Sequence, residues 1–320
     1  MSGFQTKVTV QPGIGIEGDF ASTNPRYSVL AGAGGILAGD QGLTVGRFAW
    51  LTDEHVDDVG APAVANNFGF GPVAGFIHRE QQGLITQYLQ SATMFIPAGF
   101  GVTVMSGGDF VVRNRGNNQA LPGMKAYANV ADGSVTFAPT GQPAGGGTST
   151  ASTIAPGTSN FTASINGNLM TVTQAAANNL FNGTNVAGQG VALGSSIVQQ
   201  ILPLNPGEVL RGIGRYALNV PEQNVPGEAM TGSFGVLTIG GTVAGNYGVN
   251  QQVSGSTTSA GTVITDLGTG TGGAGTYIVN NSQTVASAAL NTASNVETKW
   301  IAMSAGITGE LVKISDHPLG

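Results

Sequence analysis

Polar and apolar side chains alternate along much of this chain with the two-residue period of a half-buried strand. Lys7-Val8-Thr9-Val10 shows it near the amino end, and residues 43–50 begin with the same alternation. Phe76-Ile77-His78-Arg79 leads toward a turn at Gln82-Gly83, and residues 109–114 form an apolar run bounded by Gly107-Gly108 and Gly116. Residues 124–130 and 135–137 flank Asp132-Gly133, which predicts a type I′ hairpin with positive φ at both turn positions. Residues 81–93 fit one short helix or a pair of strands, and period does not separate the two. Turn signals recurring about every 8–12 residues predict a jelly roll, barrel or sandwich.

The pattern changes after residue 138. Residues 139–160 are rich in Gly, Pro, Ser and Thr, offer little to bury, and are expected to form a linker. Residues 161–172 then read as two strands turning at Asn166-Gly167. A worn repeat follows. Val186-Ala187-Gly188 with Gly194-Ser195-Ser196-Ile197-Val198 matches Val253-Ser254-Gly255 with Gly261-Thr262-Val263-Ile264-Thr265, at a constant offset of 67 residues. Thr276-Tyr277-Ile278-Val279 predicts a further strand. Pro203, Pro206, Pro221 and Pro226 predict a connecting loop over 203–228, with one strand at 216–220.

Charge divides the chain in the same places. Residues 139–296 carry only Glu208, Arg211, Arg215, Glu222, Glu228 and Asp266. Residues 297–320 regain Glu297, Lys299, Glu310, Lys313 and Asp316, and residues 1–138 hold the rest with most of the aromatics. The expected organisation is therefore an all-β domain from residues 1–138 plus 297–320, a linker at 139–160, and an inserted β-repeat domain at 161–296. The 52 glycines among 320 residues disfavour helices, since an interior Gly costs about 1 kcal/mol relative to Ala. A net charge of −6 gives no reason to expect nucleic-acid or anionic-membrane binding. With only 9% charged residues, much of the surface is expected to meet other protein. The absence of Cys excludes disulfides and thiolate chemistry. Residues 1–5 show no signal-peptide pattern, and no apolar run is long enough to span a bilayer, so synthesis in a cytoplasm is expected.

Candidate chemistry is sparse. Gly13-Ile14-Gly15-Ile16-Glu17-Gly18 spells a dinucleotide-type pattern, but Asp19 to Pro25 break rather than start the helix such a site needs. Asp53-Glu54-His55-Val56-Asp57-Asp58 could hold a divalent cation, yet it lacks the glycine and closing glutamate of a calcium loop and reads as a solvated loop. His78-Arg79-Glu80 has no nucleophile beside it; adjacent strand residues face opposite ways, so an Arg79–Glu80 pairing or an intersubunit contact is expected. His55, His78 and His317 lack metal-ligand spacing, and Asp266 suits a turn. No enzyme, cofactor or metal is expected.

Several segments carry a resemblance. Residues 44–50, the Asn67-Phe68-Gly69-Phe70-Gly71-Pro72 turn, residues 75–82, 96–104, Gly107-Gly108-Asp109-Phe110 and the closing residues 308–315 resemble the structural cement (capsid decoration) proteins of tailed bacteriophages. Residues 268–287 look like β modules found across phage virion proteins. The resemblance implies a jelly-roll or β-barrel-like domain, built from both chain ends and carrying a small inserted β-sandwich-like domain. It implies a homo-oligomer (dimer or trimer) that binds the major capsid protein on the outer surface of the virion. Phe4, Lys7, Val8, Val10, Phe20, His78, Arg79 and Glu80 are the candidate capsid or oligomer contacts, with residues 1–20 as a strap that adds a strand to a neighbour. A fibre-like role, in which the insert binds a host-surface glycan, is the other expectation.

Overall fold

The computed structural model describes residues 15–31, 35–52, 63–80, 94–141, 145–219 and 223–317. The strand expected at 7–10, the acidic stretch 53–58 and the ambiguous 81–93 lie outside these residues. The first part contains β1 (Tyr27–Ser28), β2 (Ile36–Ala38), β3 (Leu43–Thr44), β4 (Phe48–Thr52), β5 (Ala63–Asn66), β6 (Gly75–Ile77), β7 (Phe95–Ile96), β8 (Val104–Gly107), β9 (Asp109–Arg113), β10 (Lys125–Asn129) and β11 (Val135–Ala138). The middle contains β12 (Thr148–Gly167), β13 (Leu169–Ala175), β14 (Asn185–Ala187), β15 (Ile197–Gln200), β16 (Gly214–Leu218), β17 (Gln223–Ile239), β18 (Val243–Ala244), β19 (Gln252–Ser254), β20 (Ile264–Leu267), β21 (Gly275–Val279) and β22 (Val285–Ala293). The chain ends with β23 (Asn295–Ala302) and β24 (Leu311–Ser315). No helix occurs among the described residues, and the expected all-β class with curled, barrel-like sheets is what the protein has.

One sheet runs β1-β8-β6-β4-β5-β2 and another runs β11-β10-β23-β24-β9. In the second, β23 pairs with β10 and β24 with β9, so residues 295–315 fill the centre of a sheet whose other strands precede residue 139. Phe48, Trp50, Phe76, Phe110, Phe137 and Trp300 fill the core beneath, with Val112 and Ile314. Their rings touch in sequence: Phe110 lies 4.6 Å from Phe76, Phe76 5.6 Å from Phe48, and Phe48 5.2 Å from Trp300. The Trp300 indole donates to the Gly108 carbonyl at 3.0 Å, so its one polar atom is satisfied inside the core. Phe70, Phe95 and Phe100, aromatics of the same part, stand exposed instead.

The turn between β10 and β11 departs from expectation. Only Gly133, with φ of 68°, is left-handed, and its N–H donates to the Asn129 carbonyl at 2.8 Å. The loop is longer than a type I′ turn because Asn129 and Asp132 side chains accept from the Ala131 and Ser134 amides, and Arg47 clamps Asp132 at 2.9 Å. The turn between β12 and β13 is the tight one. Asn166 pairs with Leu169, and Gly167 supplies the positive φ that a two-residue turn requires.

The expected linker is strand from Thr148 onward. β12 is 20 residues long and pairs with β17 almost throughout. Its Ser/Thr/Gly composition does not betray this because its partners lie many residues away. Pro156, inside it, sits between the last pair with β22 at Ile154 and the first with β13 at Phe161, where β12 has a partner strand on one side only. Pro226 likewise lies inside β17, at the register shift between Ala163 and Ile165 of β12, so the proline-rich loop ends earlier than its prolines predict.

The long β12–β17 ribbon carries two small barrels. The first closes through β12-β13-β16-β15-β14-β17, with a single bridge, Asn185 to Ser196, joining β14 and β15. The second closes through β12-β17-β21-β20-β19-β22, with the bridge Gln252 to Val263 in the same place. The offset-67 repeat is this duplication. Ile165 pairs with Met170 and Val225; Ile154 pairs with Leu237 and Val285. Tyr216 opposite Met170 donates to the Gly212 carbonyl at 2.7 Å, and Tyr277 opposite Leu237 donates to Gly273 at 2.8 Å. Gln223 donates to Ser195 at 2.9 Å, and Gln283 to Thr262 at 2.7 Å. The offset shrinks from 67 before Tyr216/Tyr277 because the connection after β15 is longer than that after β20.

The two barrels lie on opposite faces of the ribbon. β12 and β17 pair residue for residue from Thr153–Thr238 to Ala163–Glu228, so side chains alternate faces without a slip. Ile154 is buried at an even position, whereas Ser159, Phe161, Ala163 and Ile165 are buried at odd ones. The parity change sends the first core to one face and the second core to the other. Met170→Ala and Leu237→Ala, at equivalent places in the two cores, should each cost about 2–5 kcal/mol in urea unfolding. A loss well under 1 kcal/mol at either position would contradict the equivalence.

Candidate capsid-contact surface

Residues 15–28 form a strap across the first part. The Gly18 amide donates to the Val111 carbonyl at 2.7 Å, the Val111 amide to Asp19 at 2.9 Å, and the Ala21 amide to Asp109 at 2.9 Å. These bonds, with the Phe20–Phe110 bridge, cover the free edge of β9; β1 then pairs with β8 of the other sheet. Of the arm expected to add a strand to a neighbour, residues 15–20 are described, and they pair with this chain's own β9. Phe4, Lys7, Val8 and Val10 lie outside the described residues. Of the dinucleotide-type pattern, residues 15–18 are described and belong to the same strap; the Gly18 amide is spent on the sheet, and no helix follows among the described residues.

The strap builds a corner with the end of β6. The Phe20 ring lies 4.9 Å from His78 and 5.6 Å from Phe110, and the Arg26 guanidinium lies 3.9 Å from its centroid. The strand stops at Ile77, so His78 turns inward and is 8% exposed. The Arg79 amide donates to Gly18 at 2.8 Å while its guanidinium pairs with Asp19 at 3.3 Å. Glu80 turns back to 3.7 Å from His78. The expected Arg79–Glu80 pairing is therefore replaced by one pair to the strap and one to the buried histidine. Phe20 and His78 support the corner, and Arg79 and Glu80 present their charged ends at its surface.

Sequence reasoning missed Glu17. It is buried, accepts two hydrogen bonds from Arg115, and lies 3.3 Å from Arg113, which also donates to the Gly309 carbonyl. The strap, β9 and the loop before β24 thus share one ionic knot. Buried charge in so charge-poor a chain is the signal that could have flagged it, but nothing in the spacing of Glu17, Arg113 and Arg115 names the partners. Asp266, expected in a turn role, pairs instead with Arg211 at 2.8 Å and so joins the longer loop of the first barrel to β20 of the second.

Apolar side chains also stand in solvent. Leu121 and Ile307 flank the Ala120–Gly306 bridge, are 44% and 56% exposed, and have Met303 on the same connection as Ile307. Leu30, just past the strap, is almost fully exposed. Such groups are at home in water only singly, and their grouping on neighbouring loops suits a protein contact.

A family model for the XM1 gp53 minor capsid protein matches residues 4–189. The chain belongs to the XM1 gp53 minor capsid protein family. It is a phage virion structural protein, associated with the capsid. The family match spans every candidate contact from Phe4 to Glu80 and ends just after β14, inside the first small barrel. No curated protein and no solved structure matches the chain.

The His78 corner has a pH signature. Burial pushes the imidazole below its ordinary range, and the Glu80 carboxylate opposes this more weakly. The folded chain therefore keeps His78 neutral where the unfolded chain takes up a proton. Stability should be level above about pH 7 and fall as pH drops through about 6.5. Denaturant titrations across this range should show a shallower loss for His78→Gln; an unchanged slope would mean His78 does not contribute.

Proposed function

We propose that this protein acts as a cement: it binds the outer surface of the capsid shell and bridges neighbouring shell subunits. The observation that carries the reading is the family membership, read with the resemblance of the chain ends to decoration proteins. The exposed apolar side chains on the loops at residues 121, 303 and 307 supply a contact that needs covering. Residues Phe4, Lys7, Val8 and Val10 would engage the shell or a second copy, continuing from the strap. Phe20 and His78 would hold Arg79 and Glu80 in position for the same face. Residues 148–293 would project away from the shell on the two barrels.

Cementing works by area. A specific interface typically buries about 1,600 Å² in total, and each bridging copy adds contacts that outward pressure must break. Self-association into a dimer or trimer would multiply a modest single-site affinity. Neither step asks for a catalytic group.

Cryo-EM of the virion should show this chain on the outer shell; density only in the tail would overturn the cement reading in favour of a fibre role. On isolated shells, Leu121→Asp with Ile307→Asp should weaken binding at least tenfold, about 1.4 kcal/mol, with the melting temperature unchanged. Unaltered binding would move the contact elsewhere.

A further inference from the structure

The strap crosses the end of the β9–β24 pair where Asp109 faces Ser315, and two carboxylates meet there. Asp109 is 9% exposed. Its Oδ2 accepts from Ser22 at 2.5 Å and Asn24 at 2.7 Å, both uncharged donors on the strap. Its Oδ1 is buried and has no hydrogen-bond partner among the described residues. Asp316 is provided for differently. Its Oδ2 accepts from Tyr27 at 2.9 Å and pairs with Lys299 at 3.0 Å, and its Oδ1 accepts from the Gly108 amide at 2.8 Å. His317 completes the cluster: its Nε2 lies 3.8 Å from Asp316 Oδ1 and, as an N–H, donates to the Pro25 carbonyl at 3.1 Å in the metal-free chain, a bond that a metal on Nε2 would replace. One ligand atom from each of Asp109, Asp316 and His317 lies within 4.8 Å of the other two.

A buried carboxylate with an unmet oxygen is costly, and a second carboxylate beside it raises the cost. Lys299 offsets one of the two negative charges, from the Oδ2 side of Asp316. Asp109 is left with neutral partners and a spare oxygen. A cation held by both carboxylates would answer both needs at once. The third donor narrows its identity: imidazole nitrogen with carboxylate oxygen suits zinc or manganese, whereas calcium prefers six to eight oxygens.

We propose that Asp109, Asp316 and His317 bind one divalent transition-metal ion of the zinc or manganese class, which ties the start of β9 to the residues just after β24 beneath the strap. The strap's Ser22 and Asn24 bond to Asp109 and its Pro25 carbonyl meets His317, so binding would be coupled to strap docking through these contacts. This site does not depend on the cement reading, and its failure would leave that reading intact.

The test uses the full chain, freed of metal by chelation, near neutral pH. Calorimetry and thermal melting with zinc, manganese and calcium chloride should show one equivalent of zinc or manganese bound and a rise of several degrees in melting temperature. His317→Gln, at a partly exposed position, should leave the metal-free melting temperature unchanged and weaken binding at least about tenfold. Asp109→Asn should do the same to binding; if that variant fails to fold, His317→Gln decides alone. Three results would overturn the proposal: no binding, calcium binding without zinc or manganese, or equal binding by wild type and His317→Gln. The last would place the ion elsewhere, for instance on the acidic residues 53–58.

Discussion

The pairing of the last two strands with the first part of the chain is the constraint on which the molecule depends. β23 and β24 sit at the centre of their sheet, and Trp300 on β23 lies at the end of the ring contacts that run through Phe48, Phe76 and Phe110. Neither the sheet nor its core exists until the chain has returned from the two barrels. The return is made affordable by where the middle starts and stops. Gly147 and Thr292 hydrogen-bond to each other, and Thr148 pairs with Asn291. With entry and exit adjacent, the intervening residues close their own loop and leave the outer sheet little further entropy to lose on closing.

The strap is the second device that ties distant segments. It covers the β9 edge, which would otherwise offer unpaired backbone to any passing strand. Glu17 anchors it to Arg113 and Arg115, Asp19 to Arg79, and Ser22 and Asn24 to Asp109. In a chain with so few charges, this concentration of ionic and polar contacts on one short segment marks it as a segment whose position matters. The strap lies within the stretch that the capsid-family model matches.

What the sequence disclosed follows the range of the interactions. Period-2 patterning is local, so the strands of the first part and the Asn166-Gly167 turn were readable. The repeat was readable where equal residues hold equal places, as Val186 and Val253 do. It faded where β12 and β17 each serve two barrels, because one strand cannot be seen as two copies. β12 itself looked like a linker, since Ser, Thr and Gly at its outward positions hide the buried Ile154, Phe161 and Ile165. The ionic knot and the Asp109–Asp316–His317 cluster were invisible for the opposite reason. Their members are far apart in the chain, and only the sheet brings them together.

The shared ribbon has a consequence for how this molecule can change over generations. Each barrel has two of its six strands, the long β12 and β17, in common with its twin, so neither is a cassette that recombination could cut out, duplicate or trade alone. A one-residue insertion between Ile154 and Phe161 would send one core to the wrong face, whereas the loops after β15 and β20 already differ in length without harm to the design. Lineages should therefore inherit the pair whole or lose it whole, with their variety confined to the connections.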